Sequence, residues 1–320
     1  MVFYQQDGEL ERLGKQLLDR LWIQYPLLAR NQLALTWWVY DPPYMVNTGG
    51  ALAPADFWAH PVRGFSYRGV ERIYPASVVK LFYGVAVQEW LEKGMISPTE
   101  EVDRALHDAI VNSSNDATSY LVDVLSGTTS GPELPAGPFE TWQQQRQIVN
   151  RYLQSFGWEE FQTINVCQKT WGDGPYGRER VFLAADYSNR NYLTTDAVAR
   201  LLHAIAGGVA VSAARSQILM NLLARSLDPA TVASLDPDYN QVTGFLGEGL
   251  PPTTRLWSKA GWMSRVRWDC AYVEPVDGRP FGLVVAIDAP LGDRDRSILP
   301  QIAHGALEAV RSLGNPEPSR

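Results

Sequence analysis

A serine and a lysine three residues apart, Ser77 and Lys80, stand at the predicted start of a helix in Tyr74-Pro75-Ala76-Ser77-Val78-Val79-Lys80. Residues at this spacing share a helix face, so the two side chains can touch. A serine hydroxyl is a weak nucleophile until a neighbour removes its proton. A lysine can do this when burial and nearby positive charge lower its pKa. The helix N-terminus adds backbone N–H groups aimed at any oxyanion that forms beside Ser77. Taken alone, the same short pattern also describes a helix start carrying a solvated lysine.

Two further groups of residues add to this pair. Asn112-Ser113-Ser114-Asn115-Asp116 begins 35 residues after Ser77, between two helical patterns. There the Ser113 hydroxyl can relay a proton to a leaving nitrogen, and the Asn115 amide can hold both a lysine and a substrate carbonyl. The same residue types are favoured helix caps, so a purely structural role fits this segment too. The other group is Trp257-Ser258-Lys259-Ala260-Gly261-Trp262, at the end of a predicted strand. Lys259 offers a charge, Gly261 lets a substrate approach the backbone, and the N–H of Trp262 could join that of Ser77 in a two-donor oxyanion hole. Of the five lysines in the chain, two fall in these motifs.

Ser-x-x-Lys, Ser-x-Asn and Lys-x-Gly, in this order on a helix, an interhelical turn and a late strand, resemble the motif set of class A β-lactamases and penicillin-binding proteins. The resemblance extends over roughly residues 33–287. It implies Ser77 as the acylated nucleophile, Lys80 as its base, Ser113 as proton relay, Asn115 as substrate holder and Lys259 as the charge facing a substrate carboxylate. It also implies a small-molecule substrate, a β-lactam or a related amide or ester bearing a carboxylate.

The chain departs from the family at two points. Class A enzymes carry a Glu-x-x-Leu-Asn loop whose glutamate activates the deacylating water, and no such pentapeptide occurs here. The Thr-Thr pair that opens the next helix in the family resembles Thr194-Thr195, and Glu179 lies 16 residues before Thr195, about where the loop glutamate belongs. The asparagine position is taken by Leu183, followed by Ala184. Glu179 is therefore a candidate base, yet between Arg178 and Arg180 it also reads as a surface charge; Asp186 is a further candidate. In the third motif Ala260 replaces the usual hydroxyl residue that binds the substrate carboxylate. Ser264, Arg265 or Arg267 are candidates to compensate, since arginine grips a carboxylate with two hydrogen bonds.

The elements that must position these residues follow from periodicity. Leu10, Leu13, Leu17, Leu18, Leu21 and Trp22 predict an amphipathic helix over 8–28. Strands are expected at 32–40, stopped by Asp41-Pro42-Pro43, and at 65–73, with a loop containing Gly49 and Gly50 between them. Helices follow at 77–91, 100–111, 114–125, 140–156, 195–206 and 212–226, with a surface loop at 127–138 and a long irregular segment at 170–192. Strands return at 255–259, 268–274 and 281–287 before a last helix at 298–313. Short turns between the late strands favour antiparallel pairing. The expected fold is α+β: a five-stranded antiparallel sheet flanked by the terminal helices, with an inserted all-helical lobe, β-lactamase/transpeptidase-like. Residues 1–74 and 213–320 form the sheet lobe and 75–212 the helical lobe, in one compact unit with the active site between them.

Bulk properties narrow the function. At 320 residues, 45% hydrophobic and 20% charged, the chain can bury a substantial core. A net charge of −7 leaves no basic footprint for nucleic acid. No run approaches the roughly 18 apolar residues of a membrane span. The N-terminus shows no secretory signal, so the chain as given is expected in the cytoplasm, or in the periplasm if a leader was removed. Cys167 and Cys270, in apolar contexts, are expected as buried free thiols. The four histidines and two cysteines lack metal-ligand spacing, so no metal or other cofactor is expected. There is no Gly-x-Ser-x-Gly elbow for a Ser–His–Asp triad. Alternatives to a hydrolysing enzyme are a penicillin-binding or D,D-peptidase-like protein with slow deacylation, a glutaminase-like amidase, and a binding module that kept the fold and lost the chemistry. Retention of both Lys80 and Ser113 favours catalysis.

Overall fold

The computed structural model describes residues 3–41, 52–290 and 296–313; the predicted Gly49-Gly50 loop and Pro42-Pro43 stop lie outside them. Along the chain run β1 (Tyr4–Gln6), α1 (Gly8–Gln24), β2 (Leu33–Val39), α2 (Pro54–Trp58), β3 (Val62–Tyr67), α3 (Val79–Glu92), α4 (Glu100–Ile110), α5 (Asn115–Ser126), α6 (Ala136–Arg146) and α7 (Ile148–Gln154). They continue with α8 (Gly177–Leu183), α9 (Thr195–Ala206), α10 (Ala213–Leu223), β4 (Ala224–Arg225), α11 (Pro229–Ser234), β5 (Arg255–Trp262), β6 (Val266–Glu274), β7 (Phe281–Asp288) and α12 (Ile298–Ser312). Helix starts are set locally. Asp7, Thr99, Ser114, Thr194, Ser212 and Asp228 each accept a hydrogen bond from the backbone N–H three residues on, capping α1, α4, α5, α9, α10 and α11.

The sheet is seven-stranded and mixed, in the order β1-β3-β2-β7-β6-β5-β4. This corrects the expected five-stranded antiparallel sheet. The five expected strands do pair antiparallel, in the order β3-β2-β7-β6-β5. The additions are edge segments too short to carry an alternating pattern: β1 lies parallel to β3, and the two-residue β4 pairs with Trp257 and Leu256 of β5. Alternate side chains enter opposite layers. Leu35, Trp37, Ala260, Ala271, Leu283 and Val285 pack in one apolar cluster with α1 and α12, while Trp38, Trp268, Cys270, Tyr272 and Val284 join the cluster formed with the helices. Each fully buried large aliphatic chain contributes about 1.5–3 kcal/mol of hydrophobic stabilisation.

Other boundaries differ from expectation for identifiable reasons. Strand β3 ends at Tyr67 because Arg68 turns to φ 53° and the carbonyl of Gly69 accepts from Asp196 N–H at 3.0 Å, tying the chain to α9. The single helix expected over 140–156 is two, α6 and α7, broken at Gln147 with ψ 5°. The irregular segment 170–192 contains α8 and is pinned at its end by bridges between Ile73 and Leu193 and between Asn165 and Tyr192. Both cysteines are free and buried. Among the described residues no helix is long and apolar enough to cross a membrane, and no group of three or more His, Cys, Asp or Glu side chains is placed to hold a metal ion.

Candidate active site

Ser77 lies in a single 3-10 turn, Ala76–Val78, that leads directly into α3. Ala76 before it adopts φ 46°, a left-handed conformation that costs a non-glycine residue roughly 1–2 kcal/mol. Trp268 Nε1 donates to the carbonyl of Tyr74 at 2.9 Å and fixes the approach to this turn. One turn on, Lys80 is buried with its Nζ 3.0 Å from Ser77 Oγ. Its other partners are Asn115 Oδ1 at 2.9 Å, Ser113 Oγ at 3.3 Å and the carbonyl of Ser113.

This arrangement dictates where protons sit. The Ser113 carbonyl and Asn115 Oδ1 can only accept, so both receive N–H bonds from Lys80. Burial pushes the Lys80 pKa down to about 7. A neutral amine donating to those two carbonyl oxygens keeps its lone pair for the two hydroxyls beside it, Ser77 Oγ at 3.0 Å and Ser113 Oγ at 3.3 Å.

Ser113, held at φ 57° in the turn before α5, bonds both lysines: its carbonyl and hydroxyl meet Lys80 and its hydroxyl meets Lys259. The cap of α5 is Ser114, whose Oγ accepts from Ala117 N–H. The capping function read in this segment thus belongs to Ser114, leaving Ser113 and Asn115 for Lys80. Lys259, on β5, is fully buried. Its Nζ has three partners: Ser113 Oγ at 2.9 Å, Gln241 Oε1 at 2.6 Å and the carbonyl of Ala260 at 2.8 Å. Its pKa is lowered, first by burial and then by the charges of Lys80 and Arg225.

Gly261 is the point of closest approach between sheet and helix. A Cβ there would lie 2.8 Å from Ser77 N and Pro75 O and 2.9 Å from Val78 N, all backbone atoms. Only glycine lets β5 lie against the Ser77 turn. Strand β4 covers β5 only at Leu256 and Trp257, so beyond them the strand edge runs past Ser77 to Trp262. A cleft of about 650 Å³ opens here, lined by Ser77, Ser113, Asn115, Trp171 and Trp262 among others.

The remaining sequence candidates lie elsewhere. Glu179 is not the surface charge suggested by its arginine neighbours: it is 1% exposed. Its partner is Arg146 of α6, at 2.5 Å, and its Oε1 also accepts from Ser130 at 2.8 Å. Ser130 receives Lys169 Nζ at 2.8 Å, and Lys169 and Arg146 both reach Asp123. This four-charge network joins α5, α6, α8 and the segment before Trp171. Glu179 lines a smaller cavity of about 150 Å³ that shares Trp171 and Gly172 with the Ser77 cleft. Asp186 is exposed, and its carboxylate is held low by the Ser188 hydroxyl and N–H. Ser264 and Arg265 are exposed on the β5–β6 turn. Arg267 donates to the carbonyl of Gly244 and stacks over Phe245. None of these four lines the cleft.

Gln241 was not identified from sequence. Its Oε1 accepts from Lys259 Nζ and from Ala260 N–H, while its Nε2 donates to the carbonyls of Ile110 and Val111. It belongs to no motif and sits in a polar loop, so no sequence signal marked it.

A fold of this topology with a serine, two buried lysines and an asparagine converging between sheet and helices defines a class. The sequence profile of the beta-lactamase enzyme family matches residues 102–310, and the chain belongs to that family. The fold is similar to that of a beta lactamase from Xanthomonas campestris pv. campestris, at 16% identity over 93% of this chain and 98% of that one, TM-score 0.61. It is likewise similar to PBP-A, at 15% identity over 97% and 98%, TM-score 0.62, a protein whose mutant was captured as an acyl-enzyme with penicillin G. The reconstructed class A beta-lactamase of the last common ancestor of Gram-negative bacteria aligns at 20% identity over 93% and 98%, TM-score 0.59. No curated protein matches the sequence.

Proposed function

We propose that this chain is a serine hydrolase that acylates Ser77 with a β-lactam or a related amide or ester and then hydrolyses the acyl-enzyme. The observation that carries this reading is the bond between Lys80 Nζ and Ser77 Oγ, made by a lysine that burial holds near pKa 7. Neutral Lys80 takes the hydroxyl proton as Ser77 Oγ attacks the substrate carbonyl. The resulting oxyanion is received by the N–H groups of Ser77 and Trp262. Collapse breaks the C–N or C–O bond, and the leaving atom takes the proton of Ser113 Oγ, which Lys80 replaces from 3.3 Å. Water then attacks the acyl carbon and frees Ser77. Asn115, exposed at the cleft while its Oδ1 holds Lys80, offers its amide N–H groups to the substrate.

A second reading, penicillin binding with slow turnover, is favoured by the placement of Glu179. Its carboxylate is occupied by Arg146 and Ser130, and it lines the neighbouring small cavity instead of the Ser77 cleft.

Intact protein mass, followed over time after mixing with a penicillin, tests both. A mass increase in the native protein and none in Ser77→Ala is expected. Decay of the adduct with product release supports hydrolysis, and a persistent adduct supports the second reading. No adduct at any time contradicts acylation by β-lactams.

A further inference from the structure

The Ser77 cleft carries negative charge at its rim. Asp116 comes from the first turn of α5, Asp173 from the segment leading to α8, and Asp238 from the loop after α11, and all three are exposed. Among the described residues, no lysine, arginine or histidine lines this cleft. The two lysines nearest the nucleophile are buried and face partners within the protein. Lys80 is committed to Ser77, Ser113 and Asn115, and Lys259 to Ser113, Gln241 and the Ala260 carbonyl. Ala260 has no hydroxyl with which to bind a carboxylate, Arg265 does not line the cleft, and Arg267 is occupied by Gly244 and Phe245.

A substrate carboxylate entering here meets three like charges and, among the described residues, no cation lining the cleft. A positively charged group finds the reverse, together with the rings of Tyr239 and Trp262. Aromatic faces attract cations, and a cleft lined by one sign of charge concentrates ligands of the other. Asp116 also has a structural use, since an acid in the first turn of a helix is stabilised there. Asp173 and Asp238 have no such position. We propose that the preferred acyl donor of this site is a cationic amide or ester, bearing an ammonium, amidinium or guanidinium group placed to reach Asp173 and Asp238. This rests on the reading of Ser77 as the acylated nucleophile.

Two penicillins that differ by a single amine, ampicillin and benzylpenicillin, separate the two ideas. The rate of Ser77 adduct formation is measured with each, at neutral pH, in the native protein and in an Asp173→Asn/Asp238→Asn variant. Both changed side chains are exposed, so folding is not at risk. Expected is faster acylation by ampicillin, on the order of tenfold at low ionic strength, with the advantage shrinking in about 1 M salt. In the variant the two rates converge, ampicillin slowing and benzylpenicillin quickening. Equal rates in the native protein, or a preference for benzylpenicillin, would overturn the cationic preference while leaving Ser77 acylation intact. An adduct with neither compound would overturn β-lactam acylation, and the preference with it.

Discussion

Lys259 Nζ and Ser113 Oγ, 146 residues apart in sequence, are joined by a 2.9 Å hydrogen bond that ties β5 to the turn before α5. With Lys259 as the donor, the Ser113 oxygen accepts and its own proton is left for a leaving group. Replacing Ser113 by alanine is expected to slow acylation about 100-fold, the low end of general acid–base contributions. The variant remains folded, because the Ser113 carbonyl still accepts from Lys80. Stopped-flow acylation beside circular dichroism measures both quantities; an unchanged rate excludes the relay.

Gln241 holds Lys259 from the other side. Gln241→Leu removes an acceptor from the buried Lys259 Nζ and from Ala260 N–H, a loss of about 1–3 kcal/mol for each group left unsatisfied. Urea unfolding is expected to show this loss together with slower acylation. A variant that keeps native stability would mean that Lys259 needs no such support.

The Glu179–Arg146 pair yields a test of what Glu179 does. Both side chains are at most 1% exposed, and breaking a buried pair by neutralising one member costs about 3–5 kcal/mol. Glu179→Gln is therefore expected to unfold at markedly lower urea concentration. A variant with native stability and a selectively lost deacylation step would instead make Glu179 the base that activates water.

Ser77, Lys80, Ser113, Asn115, Lys259 and Gly261 were legible in the sequence because each belongs to a short motif with a fixed relation to a helix start or strand end. The five long strands and most helices were legible because apolar periodicity follows burial. What escaped depends on distant partners. The charge on Glu179 looked solvated beside Arg178 and Arg180, whereas its partner is Arg146, 33 residues away. Gln241 owes its role to backbone atoms of α4 and β5, which local composition does not encode. Strands β1 and β4 are three and two residues long, and such edge segments are recruited by the neighbours they pair with.

His203 makes a prediction about acid stability. It is buried among Phe3, Trp38, Tyr40, Phe57 and Trp58, with Nδ1 2.8 Å from Tyr40 Oη. Burial, and secondarily the charge of Arg200, lower its pKa from 6.5 to about 3. The unfolded chain therefore binds a proton that the native state does not, between those values. The contribution is fully present above the unfolded pKa and is lost as pH falls, at about 1.4 kcal/mol per pH unit. Urea midpoints across that range, compared with His203→Gln, should show a shallower slope in the variant. Parallel slopes would mean that His203 is protonated in the native state.

The central claim is that Lys80 is the neutral base that activates Ser77, and the pH dependence of the acylation rate tests it most directly. Since the Lys80 pKa is lowered from 10.5 to about 7, the rate of adduct formation with a penicillin is expected to rise through neutral pH and level off above it. Lys80→Arg, whose guanidinium stays charged, is expected to abolish the rise and nearly all of the rate. A rate independent of pH from about 5 to 9, or an arginine variant that acylates at the native rate, would contradict the claim.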